Sequence, residues 1–461
     1  MTHPPAPSAD EIVRLYKSGQ LSAELASYHE LDEGEDDPFI RRCIALHNND
    51  EIDLVSVHSE PVFSGLTGHA FFTLQHFYCE AIPKLVTSAT ALMEFCRILI
   101  EKAGADLAAT QPNIAFRTWC QNNPSEGTAV IREARAGDQL AKRFVTFALR
   151  AAHDVDSAID FVRSYSDDRR LSGMMAFVGM TFPDAAAAQK AISVLESFVA
   201  DRADDHVRGN ALLAAFDVFK KHNDPETAKR LIEAAAKAPG PEMLHGLAQV
   251  IWLHHDSLNY KALETALLAV EAVNPEHLGT VRTLDLGLRQ LLGTKSEALA
   301  LDFLATKLRD GKLTTKNFET TAHELTHGDP QRLYALIVRW FLSGSIELCS
   351  NISQLVGIDR KRAFDTAAPP LGLTAAQQIF LCRKAIGFLF IKPVICCSIL
   401  VSVLRLGDKD VEGPVAELLF DPIRLSYGGD AKEYLKGIPA TDPAHGPIQD
   451  ALAKDKDFYA G

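Results

Sequence analysis

Apolar residues recur at three- and four-residue intervals along most of this chain, and strict apolar–polar alternation is scarce. That spacing is the period of amphipathic helices, not of strands. Ile192, Leu195, Phe198 and Val199 form one stripe, behind Asp184, which follows Pro183 and stands in an N-cap position. Leu212, Leu213, Phe216 and Phe219 form the next. Asp224-Pro225 reads as N-cap and first residue of a further helix with Leu231 and Ile232 inward, closed by Pro239-Gly240. Met243, Leu244, Leu247, Val250 and Ile251 mark another. Thr294 and Glu297 have capping-box spacing ahead of Leu301, Leu304 and Leu308, and Asp310-Gly311 ends that helix. Short helices with short connections predict a run of antiparallel helical hairpins.

The hairpins repeat. Arg170, Arg208, His245, Arg282 and Glu319 fall in register, with steps of 38, 37, 37 and 37 residues. A period of this size marks stacked helical repeats. The unit DDHVRGNALLAAFDVFKKHNDPETAKRLIEAAA, Asp204 to Ala236, resembles a HEAT-type repeat in its D-x-V-R entry, Ala/Leu-rich first helix, D-P-E turn and second helix. Asp167-Asp168-Arg169-Arg170 echoes the entry one repeat earlier. The resemblance spans roughly residues 138–345. It implies an all-α, right-handed α-solenoid of antiparallel helix pairs with a concave face that holds protein partners and sometimes nucleic acid.

The ends differ from the middle. Residues 1–60 are poorly periodic and carry an acidic run, Glu30 to Asp37, with six acids in eight positions; it reads as a solvated loop, with a docking tail as the alternative. Residues 61–137 read as an N-terminal helical cap, 138–368 as the HEAT-like solenoid, and 369–461 as an apolar C-terminal cap and tail. Within that last part, Leu373 to Leu406 is the most apolar stretch, and the end from Thr441 is expected to fray. The longest uncharged piece, Pro393 to Leu404, has 12 residues, too short for a bilayer span, so a buried core helix is expected.

Composition changes this picture little. Length suggests about three ordinary domains, but the period merges the middle into one stack. Apolar residues make up 47 % and charged residues 23 %, a normal globular balance, and Gly at 28 and Pro at 22 are ordinary, which argues against a disordered or collagen-like chain. A net charge of −13 opposes broad binding to nucleic acid or anionic lipid. No leader pattern is visible in MTHPPAPSADEI, and the eight scattered cysteines read as core thiols in a reducing compartment, the cytoplasm.

One motif carries chemistry. His323-Glu324-Leu325-Thr326-His327 is H-E-x-x-H, which on a helix sets two histidines on one face for Zn²⁺ and a glutamate to polarise a metal-bound water. It resembles the zincin metallopeptidases. The resemblance implies Glu347, 20 residues after His327, as third ligand and Glu324 as general base. Three features depart from that pattern: Asn351 where the supporting Asp would stand, Asp329 two residues past the second His, and no upstream strand. At 100° per residue, Phe318, Ala322 and Leu325 define the core face, and His323 and His327 lie about 140° and 180° from Phe318. They are therefore expected to face solvent or a groove, with His327 near the negative end of the helix dipole.

Other groups are weaker. Arg117, Arg132, Arg135, Lys142 and Arg143, with Arg150, outnumber nearby acids and make a candidate basic patch for phosphate or an acidic peptide; a solvated helix face is the simpler reading. Arg170, Arg208 and Arg282 suggest an inter-repeat ladder to neighbouring Asp residues. His254-His255-Asp256 suits a helix end, and His69 and His76 read as partly buried histidines. No phosphate-binding, dinucleotide-binding or serine-hydrolase elbow motif occurs. The expected function is a non-catalytic protein-binding scaffold without a cofactor. A zinc hydrolase is the first alternative, and a nucleic-acid-binding repeat protein is the second.

Overall fold

The computed structural model describes residues 6–27, 38–164, 166–201, 204–220, 225–357, 363–364 and 372–460. The acidic run 30–37, the cluster Arg360-Lys361-Arg362, Pro369-Pro370 and the cap position Asp224 lie outside the described residues. Among those described, the secondary structure is helical throughout, with no strand. The chain divides into two compact units, Met1–Ala235 and Ala236–Gly461.

In the first unit, residues read as poorly periodic form helices Ala9–Lys17, Leu21–Ser27 and Pro38–Asn48. They bury Ile12, Leu21, Leu25, Phe39 and Cys43, so short amphipathic segments escaped the period rule for lack of length. Beyond them, helices Gln111–Asn122, Gln139–Ala152, Asp167–Phe177 and Asp205–Lys220 pack one on the next. Val155–Val162 lies against Asp167–Phe177, and Ala185–Ala200 against Asp205–Lys220, as antiparallel partners. Asp184 caps Ala185–Ala200 by accepting the Ala187 amide at 2.7 Å. At Gly173 the Asp167–Phe177 helix touches its partner's backbone: a Cβ there would lie 2.7 Å from the Ala158 carbonyl oxygen and the Val162 nitrogen. Only glycine permits that approach.

In the second unit, Pro241–His254, Leu278–Leu291, Glu319–His327 and Ile346–Leu355 likewise pack in succession. Tyr260–Val270, Glu297–Leu308 and Pro330–Leu342 alternate with them along the chain. The five register residues thus fall at the start of five first helices: fourth at Arg170 and Arg208, fifth at His245 and Arg282, first at Glu319. Pro393–Leu404 is buried along its whole length, as its composition predicts. No described helix is long and apolar enough to cross a membrane. The expected fraying end instead forms helix His445–Ala460, anchored by buried Ile448 and Ala451.

The 37-residue period also governs side-chain bonds between elements. Glu60 accepts the Ser22 amide, Glu126 the Ala89 amide and Asp217 the Gly179 amide, at separations of 38, 37 and 38 residues. In the second unit Asn351 accepts the Thr315 amide 36 residues away, and Arg405 donates to Asp442 37 residues away. These links reach both ends of the chain, outside the stretch where the sequence period is visible.

Several local expectations change. Arg170 and Arg208 pair with Asp167 and Asp205 of their own helices, at 2.9 and 3.6 Å, where a pairing with an Asp of a neighbouring repeat was expected, and Arg170 also covers the Phe198 ring of the next helix. Each also donates to a preceding carbonyl, Ser164 or Val199. Arg282 is exposed. Thr294 and Glu297 do not form a capping box: the Thr294 hydroxyl donates to the Leu291 carbonyl, and Glu297 accepts the Gly293 amide. His69 and His76 are exposed, because Phe71, Leu74, Phe77 and Tyr78 claim the opposite face of their helix. The cysteines are free thiols and all but Cys79 are buried; burial pushes Cys79 up to about 12.

Candidate functional site

The H-E-L-T-H helix is held at both ends by its neighbours. Before it, Thr314 and Asn317 form a capping box on the turn Thr315–Asn317. Its first amides, Thr320 and Thr321, both donate to the buried Asp285 carboxylate at 2.8 Å. Phe318 and Leu325 point into the core, as the 100° arithmetic predicts, whereas Ala322, expected with them, is half-buried and lines a cleft with the histidines; His323 and His327 are exposed. At the far end a Cβ on Gly328 would lie 2.6 Å from the Glu324 carbonyl oxygen. Asp329, which departs from the metallopeptidase pattern, N-caps the next helix by accepting the Gln331 amide at 2.9 Å.

The two imidazoles lie side by side, with ring centroids 4.2 Å apart and planes inclined by 22°. His327 Nδ1 sits 3.0 Å from the His323 carbonyl oxygen. The two glutamates of the metallopeptidase reading lie elsewhere. Glu324 faces Arg289, at 3.8 Å. Glu347 accepts from the Ser345 hydroxyl at 3.0 Å and rests against the Gly311 turn, its Cγ 3.5 Å from a Cβ built there. Among the described residues, no group of three His, Cys, Asp or Glu side chains is placed to hold one metal ion.

The histidines line a cleft of about 780 Å³ with Lys316, Glu319, Thr326, Gln354, Leu355, Ile391 and Lys392. Ile391 is 61 % exposed. Lys392 donates to the Ser353 carbonyl, and burial holds its ammonium below the usual lysine range. A second cleft of about 460 Å³ shares Lys316 and Glu319 and continues to Arg282, Asp285, Leu286 and Leu278, the last 53 % exposed. Exposed Ile391 lines the first cleft and exposed Leu278 the second, and the cations of the two linings are Arg282, Lys316 and the buried Lys392. Their acidic neighbours are Glu319 and Asp285, and Asp285 is engaged by backbone amides. Sequence reasoning missed Lys316, Gln354, Ile391 and Lys392, which come from three other segments.

The candidate basic patch is not held as one free cluster. Arg135 pairs with Asp160 at 3.2 Å, donates to Ser157 and covers the Phe161 ring. Arg143 pairs with Glu101 at 2.9 Å. Burial first, and Arg117 second, hold the Arg150 guanidinium below its usual range, so Arg117 and Arg150 are neighbours. Arg132 is exposed and Lys142 half-buried. Compared with known proteins, the chain matches no protein-family model and no curated protein.

Proposed function

We propose that this chain is a non-catalytic protein-binding scaffold, a HEAT-like right-handed helical solenoid of the cytoplasm. Its second unit takes a segment of a partner protein in the clefts beside His323 and His327. The observation that carries this reading is the pair of adjoining clefts, which share Lys316 and Glu319: exposed Ile391 lines one and exposed Leu278 the other, with Arg282 and Lys316 among their cations. Apolar anchors supply affinity through burial, and the cations select a segment with acidic side chains. The repeated spacing of side-chain links supports the solenoid, since stacked units place equivalent residues at equal separations. The positions of Glu324 beside Arg289 and Glu347 beside Gly311 favour binding over zinc hydrolysis. The net charge of −13 favours a protein over nucleic acid.

A photo-crosslinking side chain at Leu278 or Ile391, in the native host, tests this. The expected result is one shared crosslinked protein from both positions and none from Leu268, an exposed control elsewhere in the unit. Arg282→Glu with Lys316→Glu is expected to reduce the product at least several-fold. Equal products from Leu268, or none from either cleft, would overturn the reading.

A further inference from the structure

We infer that the cleft lined by Lys392 is a site for a phosphomonoester dianion, held by Lys392, Lys316 and the side-chain amide of Gln354. The buried ammonium carries the argument. Lys392 is 6 % exposed and lines the cleft together with Ser353, whose carbonyl accepts one of its three N–H donors. Among the described residues no carboxylate pairs with it, and burial alone holds its ammonium below the usual lysine range. A charge taken out of water is costly unless it is paired, and an anion entering the cleft pairs with this one.

The rest of the lining sets the class of anion. Lys316 is exposed, with no carboxylate partner among the described residues. Gln354 Oε1 accepts from the Thr315 hydroxyl at 3.2 Å, which leaves both Nε2 donors of that amide for a ligand. Two ammonium groups match the two negative charges of a phosphomonoester, and its three oxygens take up more of these donors than the two of a carboxylate. Glu319 is the one acid of this lining and opposes the anion. Ile391, 61 % exposed, offers an apolar contact to the group that carries the phosphate. The inference deepens the partner reading and rests on it for the use of this cleft by a partner segment; it adds a phosphate where that reading asks for acidic side chains. The same chemistry comes from a phosphorylated side chain or from a small phosphate ester, and the test separates the two.

The test titrates the full chain, by calorimetry at fixed ionic strength, with glycerol phosphate, with a capped peptide carrying one phosphoserine, and with the same peptide carrying glutamate in its place. One equivalent of each phosphate ester is expected per chain, with the glutamate peptide at least tenfold weaker than the phosphopeptide. Tighter binding of the phosphopeptide than of glycerol phosphate assigns the phosphate to a partner segment, and equal binding assigns it to a small ester. Lys392→Met, which fills the same space without charge, is expected to weaken ester binding at least tenfold. Lys316→Met is expected to weaken it several-fold, and Glu319→Gln to strengthen it. Lys312→Met, at an exposed lysine paired with Asp310 outside the cleft, is expected to leave it unchanged. A urea midpoint for each variant, with Lys392→Gln as a second replacement, separates loss of the site from loss of the fold. No saturable binding of either ester, equal binding of the glutamate peptide, or unaltered binding in Lys392→Met and Lys316→Met would overturn the inference. Crosslinking at Leu278 and Ile391 is scored without any phosphate probe, so a failure there counts against the partner reading alone and a failure here against the phosphate alone.

Discussion

The carboxylate of Asp285 accepts the backbone amide of Thr321 from 36 residues away, and the Thr321 hydroxyl returns a bond to the Asp285 carbonyl. One buried side chain thus serves as the cap of the neighbouring helix, the one that carries His323 and His327. Asp285→Ala would leave the Thr320 and Thr321 amides without this acceptor, at a cost of about 2–4 kcal/mol. Asp285→Asn keeps one acceptor oxygen and is expected to cost less. Urea denaturation of the three proteins checks the order, and equal midpoints would refute the capping role.

Gly173 and Gly279 make a paired test of close packing. Alanine at 173 meets the Ala158 and Val162 backbone at 2.7 Å, whereas at 279 it meets nothing within 4 Å. Gly173→Ala is expected to destabilise by ~1–3 kcal/mol through overpacking. Gly279→Ala is expected to be neutral or to stabilise by ~0.5–1 kcal/mol, because it lowers the entropy of the unfolded chain. Thermal unfolding of both variants distinguishes the effects by sign.

His47 is expected to give the first unit a pH-dependent stability. Its Nδ1 accepts the Leu54 amide at 3.2 Å, and burial holds the imidazole pKa below its ordinary value despite Asp53 nearby. The unfolded histidine takes its proton near pH 6.5, and the folded one only at lower pH. Between those points the unfolded state holds more protons, so stability falls as pH falls below about 6.5 and levels off below the folded value. His47→Asn keeps an acceptor for Leu54 and removes the titration. Its urea midpoint is expected to fall less than that of the wild type between about pH 7 and 5. Parallel curves would exclude His47 as the source.

Arg135 and Arg143 test the basic-patch alternative. Each is tied to an acid on another helix, Asp160 or Glu101. Removing either pair is expected to cost ~0.2–1 kcal/mol, as for exposed ion pairs, with Arg135 costing more because it also loses Ser157 and Phe161. Duplex DNA at low salt is expected to bind the wild type and the double alanine variant equally weakly. A salt-sensitive mobility shift lost in the variant would restore a nucleic-acid role.

The helices at 185–200 and 205–220 were legible because an apolar stripe and a cap are local properties. So was the orientation of one helix: Phe318 and Leu325 inward, His323 and His327 outward, from 100° per residue and the burial of apolar surface. The first 60 residues were less legible, since helices of seven to eleven residues leave too few turns for a period to show. The exposure of His69 and His76 was misread because phenylalanines next to them in sequence lie on the other side of the helix.

The helical class, the 37-residue register and the outward pair of histidines are readable from residue order, because each follows from spacing along one helix or from recurrence of a spacing. Which residues meet is decided by packing between helices. It brings Lys316, Gln354 and Lys392 to the histidines, turns Glu324 toward Arg289, and leaves Glu347 at Gly311. The reason is physical. Periodicity states which face of a helix is buried, but the partner of each exposed side chain depends on how neighbouring helices rotate and pack. Those rotations are set by contacts such as Gly173 on Ala158 and Asp285 on Thr321, between residues far apart in the chain.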